Sequence, residues 1–483
     1  MRVVGLLAVS VLALAACDRE PTSPPQASRP LRAAEASDEI LMTPDATGQI
    51  ATISTTGGID QTNPFFQSLG TNGRSCASCH IQGSAWGLSA AFARSTFDAT
   101  GGSAPLFSPV DGANCPSVTP ADGAAGHSLL LNNGLIRVGL AVPGSAEFAI
   151  KVVHDPYGCA LQGSPATVSV YRRPLPAANL RFLSTVMFDG RETVSPLTSA
   201  ATFLGNLKTD LAHQAMDATL GHAQAAAAPT AAQVGAIVDF ELSLFTAQGV
   251  DDAAGVLDAQ GAAGGPEMLV EAPYYPGIND PLGGNPTGAA FDPKAFTVFA
   301  RWLNLNSAGP HAAARAAVAR GEAVFDTHPL TITNVAGLND VLGMPTISGT
   351  CSTCHDTPNV GNHSRPVPLD IGTSHVAAHE PAPEVLAALA QLSLPNLPVY
   401  KLTCPGRTVR YTTDPGRALI TGLCSDVGRI KGPILRGLAA RAPYFHNGSA
   451  ATLHEVVEFY NQRFRMGLTA REKADLVAFL SSL

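Results

Sequence analysis

The sequence predicts a mainly α-helical chain of two domains, each organised around one short cysteine–histidine motif, with long loop-rich insertions. Three observations carry this. The pentapeptide Cys76-Ala77-Ser78-Cys79-His80 has a twin in Cys351-Ser352-Thr353-Cys354-His355, and 483 residues give room for the two to sit in separate folding units. Helical periodicity and capping signals gather around both motifs and at the C-terminus. The 46 glycines and 37 prolines concentrate in the stretches that interrupt those helices.

In chain order, Arg2 forms a short positive region, and Val3 to Ala16 is apolar but too short to span a bilayer. It ends in Leu14-Ala15-Ala16-Cys17, which is similar to a bacterial lipobox, so residues 1–17 read as a lipoprotein signal with diacylation expected at the Cys17 thiol. Residues 18–44, with Pro21, Pro24, Pro25 and Pro30, read as a flexible tether. The expected location is the bacterial cell envelope, facing the periplasm, with the membrane engaged by the lipid anchor alone. A net charge of −8 without a basic cluster excludes nucleic acid as a partner.

Residues 45–248 form the first expected domain. Asn63-Pro64-Phe65-Phe66 offers a short helix before the first motif, and 81–185 reads as loops, with a short strand at Val168-Ser169-Val170-Tyr171. A helical stretch surrounds Leu211–Ala215, and a clearer helix over 231–246 starts from a Thr230 cap, with Val234, Val238, Leu242 and Phe245 on one face. Residues 249–310 read as a turn-rich connection packed down by aromatic residues. The second domain spans 311–483: an Ala-rich helix with Val318, Gly321 and Phe325 on one face, then the second motif. A helix near 382–392 follows, and two final helices start at Thr452 with Glu455 and at Thr469 with Glu472.

Two cysteines three positions apart, followed at once by histidine, are the attachment pattern of a c-type haem. The thiols of Cys76 and Cys79, and of Cys351 and Cys354, would join the vinyl groups, while His80 and His355 would ligate iron. A zinc site would want a further ligand pair nearby, and a redox dithiol needs no adjacent histidine. Two covalent c-type haems in two cytochrome c-like domains are therefore expected. Apart from Cys17, the cysteines left over are Cys115, Cys159, Cys404 and Cys424. Three pairings exist; Cys115–Cys159 with Cys404–Cys424 closes the shorter loops.

These residues resemble the bacterial di-haem cytochrome c peroxidases and their relatives, which include MauG and the di-haem rubber oxygenases. Lys431-Gly432-Pro433-Ile434-Leu435-Arg436 is similar to the family's K-x-P-x-L-R, and Pro443-Tyr444-Phe445-His446-Asn447-Gly448 to P-Y-F-H-D-G. Phe188-Asp189-Gly190-Arg191 resembles W-D-G-R, with Gln214-Ala215 downstream. The resemblance implies an all-helical two-domain protein in which the C-terminal haem takes electrons from a small periplasmic donor protein. The N-terminal haem would reduce hydrogen peroxide. It also implies a calcium ion between the domains.

Departures from the family pattern sharpen the expectation. The tryptophan between the haems becomes Phe188, with Trp86 as a substitute elsewhere in the chain. No histidine stands where the family's blocking ligand would be; the nearest are His127 and His154. The catalytic glutamate falls near Gln224, beside His222. The calcium asparagine falls near Arg173, which weighs against calcium. The axial methionine of the C-terminal haem aligns with Tyr460, as in MauG, and Met466 is the alternative ligand. Candidates for the distal base are therefore His222 and His213, and for a cation assisting O–O cleavage Arg173 and Arg191. His446 is expected to hold an interface, and His363, His375 and His379 to be ordinary surface histidines. The expected activity is that of a peroxidase-type oxidoreductase. A MauG-like oxidase of a protein or organic substrate, and an electron-transfer cytochrome without enzymatic activity, are the alternatives.

Overall fold

The computed structural model describes residues 40–305 and 309–483. The lipobox at Cys17 and most of the tether lie outside the described residues. In chain order the strands are β1 (Ile40–Pro44), β2 (Gly48–Ser54), β3 (Ile136–Ala141), β4 (Ala149–His154), β5 (Leu161–Gln162), β6 (Thr167–Arg172), β7 (Leu244–Asp251), β8 (Gly255–Val256), β9 (Leu330–Thr333), β10 (Thr346–Gly349), β11 (Val399–Thr403) and β12 (Val409–Thr412). They form sheets ordered β1-β2-β7-β8, β10-β9, β12-β11-β4 and β3-β6-β5.

The mainly α expectation is overturned: the chain is 34% helical and 15% strand. The physical reason is pairing between distant segments. β2 is buried almost throughout and meets β7 antiparallel, with Thr52 opposite Thr246 and their hydroxyls 3.1 Å apart. The stretch 81–185, expected as loops with one short strand at Val168–Tyr171, supplies that strand as β6 and β3, β4 and β5 besides. β4 in turn pairs with β11, so insertions from the two halves of the chain share one sheet. Val168 and Val170 in β6 and Tyr400 and Leu402 in β11 fill the small apolar core beneath it. Both expected disulfides form there, Cys115–Cys159 and Cys404–Cys424, each with Cα atoms 6.0 Å apart. Ile40–Pro44, expected as the end of the tether, is the edge strand β1.

The helices follow the sequence more closely. Phe203–Gly221 and Ala231–Ser243 are helical, and Thr230 Oγ1 accepts from Gln233 N at 3.3 Å as a cap. The second of these stops at Ser243, because Leu244 and Phe245 enter β7. Ala312–Thr327 and Pro383–Leu389 match expectation. Leu453–Arg463 and Ala470–Ser481 close the chain; Thr469 and Glu472 make a full capping box, whereas Glu455 turns its carboxylate to Ala451 N instead. Gly321 lets the Ala312–Thr327 helix touch the last helix: a Cβ there would stand 2.0 Å from Asp475 O and 2.7 Å from Phe479 Cβ.

The described residues pack as one compact unit. Within it lie two large apolar cores. One, with Phe65, Trp86, Leu207 and Phe245, adjoins Cys76; the other, with Phe299, Phe325, Val457 and Phe479, adjoins Cys351 and Cys354. No helix among the described residues is long and apolar enough to cross a membrane.

Candidate functional site

Each motif folds as a short 3₁₀ turn, Cys76–Ser78 and Cys351–Thr353, in which Ser75 and Thr350 cap from the N-terminal side. The turn sets the two thiols and the following imidazole on one wall of a cavity. The first cavity is lined by Cys76, Cys79 and His80; the second by Cys351, Cys354 and His355.

The donor atoms fit covalent c-type haem. His80 Nδ1 lies 3.1 Å from Trp86 O, and His355 Nδ1 2.6 Å from Gly361 O. In each ring the backbone carbonyl fixes the tautomer and leaves Nε2 for a metal. Burial pushes both imidazoles below their usual pKa, which keeps them neutral. Burial also pushes the thiols up, to about 12 for Cys76, Cys351 and Cys354 and about 11 for Cys79. Among the described residues neither pair of thiols belongs to a group of His, Cys, Asp or Glu side chains gathered closely enough to hold a zinc ion. The first cavity is also lined by Arg436 and Arg441, both buried, whose side chains make no ion pair among the described residues. Arg436 Nε and Nη1 have no hydrogen-bond partner at all. Unpaired buried cations call for carboxylates from a bound group, and haem propionates supply them.

The two cavities share a wall. Lys431 and Pro433 line both, while Met187 lines the first and its neighbour Phe188 the second. Lys431 Nζ donates to Thr185 O at 3.1 Å, and burial pulls its pKa down to about 8. Phe188 stands 6.1 Å, ring to ring, from His446. Trp86 lines neither cavity: it packs on Phe65 and Phe240 and donates from Nε1 to Thr52 Oγ1 at 3.1 Å. The aromatic at the shared wall is therefore Phe188.

The candidate catalytic residues separate. Among the described residues, the histidines lining the first cavity are His80 and His222. His222 sits just past the end of the Phe203–Gly221 helix, whose Gln214, Ala215, Ala218 and Thr219 line the same wall. Its Nδ1 meets the Asp111 carboxylate, which also binds the Arg74 guanidinium, and all three residues line the cavity. Burial works against the charge of Asp111, but the hydrogen bond and charge of His222 and the charge of Arg74 outweigh it and hold the carboxyl below the usual range. His213 lies outside, tied to Glu192 at 2.7 Å and partly exposed. Arg191 lies outside too, paired with Asp189 at 3.0 Å and Glu192 at 3.5 Å. Arg173 also lines neither cavity; it is half-buried beside Arg441 and Tyr444, and desolvation pulls it down to about 9. A guanidinium next to another guanidinium is a poor surrounding for calcium. Among the described residues, the His/Cys/Asp/Glu group that could hold a metal ion is Glu192, His213 and Asp217, at the surface. Asp111 and Arg74 were missed by the sequence reading. Asp111 lies in an insertion without periodicity, and nothing local marks it.

Neither alternative blocking ligand lines the first cavity: His127 Nδ1 is 2.8 Å from Gly112 O, and His154 Nε2 is 2.9 Å from Asn396 Oδ1. The second cavity is lined by Met466, buried in the C-terminal core, by Tyr460, partly buried against that core, and by His363 and His446. Burial pushes the Tyr460 hydroxyl well above its usual pKa, and that hydroxyl makes no hydrogen bond among the described residues. His446 lies at an interface: its carbonyl accepts from Arg173 N at 2.7 Å, and its Nε2 is 3.2 Å from Ser374 Oγ. His363 bonds Asp356, His375 bonds Asp370, and His379 stacks on Tyr411 at 3.6 Å, so the three form no cluster.

Residues 431–466 match a family described as RoxA-like, cytochrome c-like. The chain is 32% identical over 149 residues to the cytochrome-c peroxidase IdrP2 of Denitromonas iodatirespirans, a match covering 28% of this chain and 36% of that protein. It is 42% identical over 69 residues to IdrP1 of the same organism, covering 12% of this chain and 18% of the relative. The matched stretches thus span about a third or less of these relatives' length. A solved MauG-like protein associated with microbial copper homeostasis aligns over 87% of both chains at 16% identity, with a TM-score of 0.33.

Proposed function

We propose that the chain, which is similar to cytochrome-c peroxidases over part of their length and matches a RoxA-like cytochrome c family at residues 431–466, is a haem peroxidase acting through two covalent haems. The first cavity would reduce hydrogen peroxide and the second would relay electrons from a small periplasmic donor protein. The observation that carries this is the placement of His222, oriented by a buried carboxylate, on the wall of the cavity that holds His80.

A c-type haem held by His80 supplies an iron coordination site for peroxide and one-electron redox chemistry. The chain's own residues handle the protons. With Nδ1 committed to Asp111, His222 has Nε2 free to take a proton from one peroxide oxygen and return it to the other. Arg74, held by Pro105 O and Leu106 O at 2.7 Å each, sets a fixed positive charge beside that transfer. Each turnover consumes one peroxide, two protons and two electrons, and yields two waters. Phe188 and Lys431, on the wall between the two cavities, would stand between the two redox sites.

A second reading, a MauG-like oxidation of a protein or organic substrate, is favoured by Tyr460: a phenolic ligand stabilises ferric iron where a thioether would raise its potential. The signal-like N-terminus supports an envelope location with an acylated Cys17. The test is haem content together with peroxide turnover. A pyridine haemochrome ratio near two per chain, and peroxide consumption with a reduced small cytochrome or cupredoxin as donor, are expected. A ratio of one removes the two-haem scheme. Peroxide consumption only in the presence of an organic or protein co-substrate selects the MauG-like reading.

A further inference from the structure

We infer that Asp111 is the positioning residue of the distal site, delivered to the first cavity by a disulfide-stapled insertion. It fixes the His222 ring with Nε2 toward the cavity and locks Arg74 beside it. The inference deepens the peroxidase reading and rests on its use of His222 as the base.

Asp111 is 4% exposed, and one carboxylate oxygen takes Arg74 while the other takes His222 Nδ1. A carboxylate placed so holds one tautomer of a neutral imidazole and stabilises the imidazolium that forms when Nε2 accepts a proton. The charged or titratable groups named around His222 are Asp111, Arg74 and His80.

The loop that carries Asp111 is built to hold it still. Arg137 N donates to Asp111 O at 2.8 Å, which fastens the loop to β3. His127 Nδ1 grips the next carbonyl, Gly112 O, at 2.8 Å. Residue 112 must be glycine: a Cβ there would lie 2.1 Å from Leu106 O and 2.7 Å from Arg74 Nη2. Four positions after Asp111, Cys115 is bonded to Cys159. On the other side, Thr71 N donates to Ala223 O at 3.0 Å and Asn72 Nδ2 to His222 O at 2.8 Å, so the segment bearing Arg74 is stitched to the one bearing His222. Base, cation and carboxylate thus come from three separate segments that reinforce one another, the arrangement a preorganised proton-transfer site requires.

The test uses the full haem-loaded chain and two probes: stoichiometric peroxide, followed by stopped flow, and cyanide, whose binding to ferric haem leaves a proton for a distal base. Asp111→Asn should slow the peroxide reaction roughly 100-fold at neutral pH, weaken cyanide binding at least about tenfold, and move the acid limb of the rate profile to lower pH. His222→Gln should do the same, and the double variant should be no worse than either single one. Asp111→Glu keeps a negative charge against Arg74 and guards against failure of the Asn variant to fold; with its carboxylate displaced by one methylene it should show the same losses in smaller measure. Wild-type cyanide affinity and rate profile in whichever Asp111 variant folds, beside a deficient His222→Gln, overturn the assignment and leave Asp111 as a counter-ion of Arg74. A wild-type protein that ignores peroxide in every redox state defeats the peroxidase reading instead.

Discussion

Asp189→Asn should destabilise the protein in a way that fades with acid. Asp189 is fully buried beside Phe188 on the second cavity's wall, and its carboxylate binds Arg172 and, at 3.0 Å, Arg191. Arg172 also binds Asp414 through two hydrogen bonds of 2.7 and 2.9 Å, so one buried cation joins β6 to two loops. Burial alone would raise the Asp189 pKa; the charges of Arg172 and then Arg191 overcome it and bring the group down to about 2. Relative to an ordinary aspartate this depression, at ~1.4 kcal/mol per unit, corresponds to about 2–3 kcal/mol. Loss of one partner of a buried pair costs ~3–5 kcal/mol, which agrees in size. Because the folded-state pKa is depressed, the contribution is fully present above about pH 4 and disappears as pH falls toward 2. Urea unfolding of wild type and variant should therefore differ by about 3 kcal/mol at pH 7, by the same amount at pH 5, and by progressively less below pH 4. An equal gap at pH 7 and pH 3, or no gap at pH 7, would refute the ion-pair account.

Other perturbations probe other parts of the argument. Gly321→Ala should cost about 1–2 kcal/mol in urea unfolding, since overpacking of ~1–3 kcal/mol against Asp475 and Phe479 outweighs the gain of ~1 kcal/mol in helix propensity; equal or higher stability would mean the last helix yields freely. Tyr460→Phe should leave unfolding stability within about 0.5 kcal/mol, because no hydrogen bond is lost. It should alter the low-spin ferric signal if Tyr460 is a ligand, whereas an unchanged signal that responds to Met466→Leu would transfer the role to Met466. Cys17→Ser should release the protein from, or stop its maturation at, the membrane; a wild type recovered without detergent would remove the anchor.

What was legible in the sequence was what is encoded locally. The two motifs, the Thr230 and Thr469 caps and the intradomain cysteine pairs depend on residues close in the chain, and all appear as expected. The strands do not. β2 is given its partner by residues about 190 positions away, and β4 by residues about 250 away in the other half of the chain, so their short runs read as polar loop or Gly/Pro-rich connection. The same limit governs the site. His222 could be singled out because it stands beside Gln224, where the resemblance places the family's glutamate. Asp111 is brought to it across 111 positions by the packing of an insertion. Arg191 and Arg173 looked available as cations, but one is consumed by Asp189 and Glu192, and the other is half-buried beside Arg441.

The central claim is an open first site and an occupied second one, and the electron paramagnetic resonance spectrum of the fully oxidised protein tests it most directly. The account predicts one high-spin ferric haem and one low-spin ferric haem. The high-spin signal should be lost on adding one equivalent of hydrogen peroxide without prior reduction, because neither His127 nor His154 lines the first cavity. Two low-spin haems that react with peroxide only after one-electron reduction would contradict it.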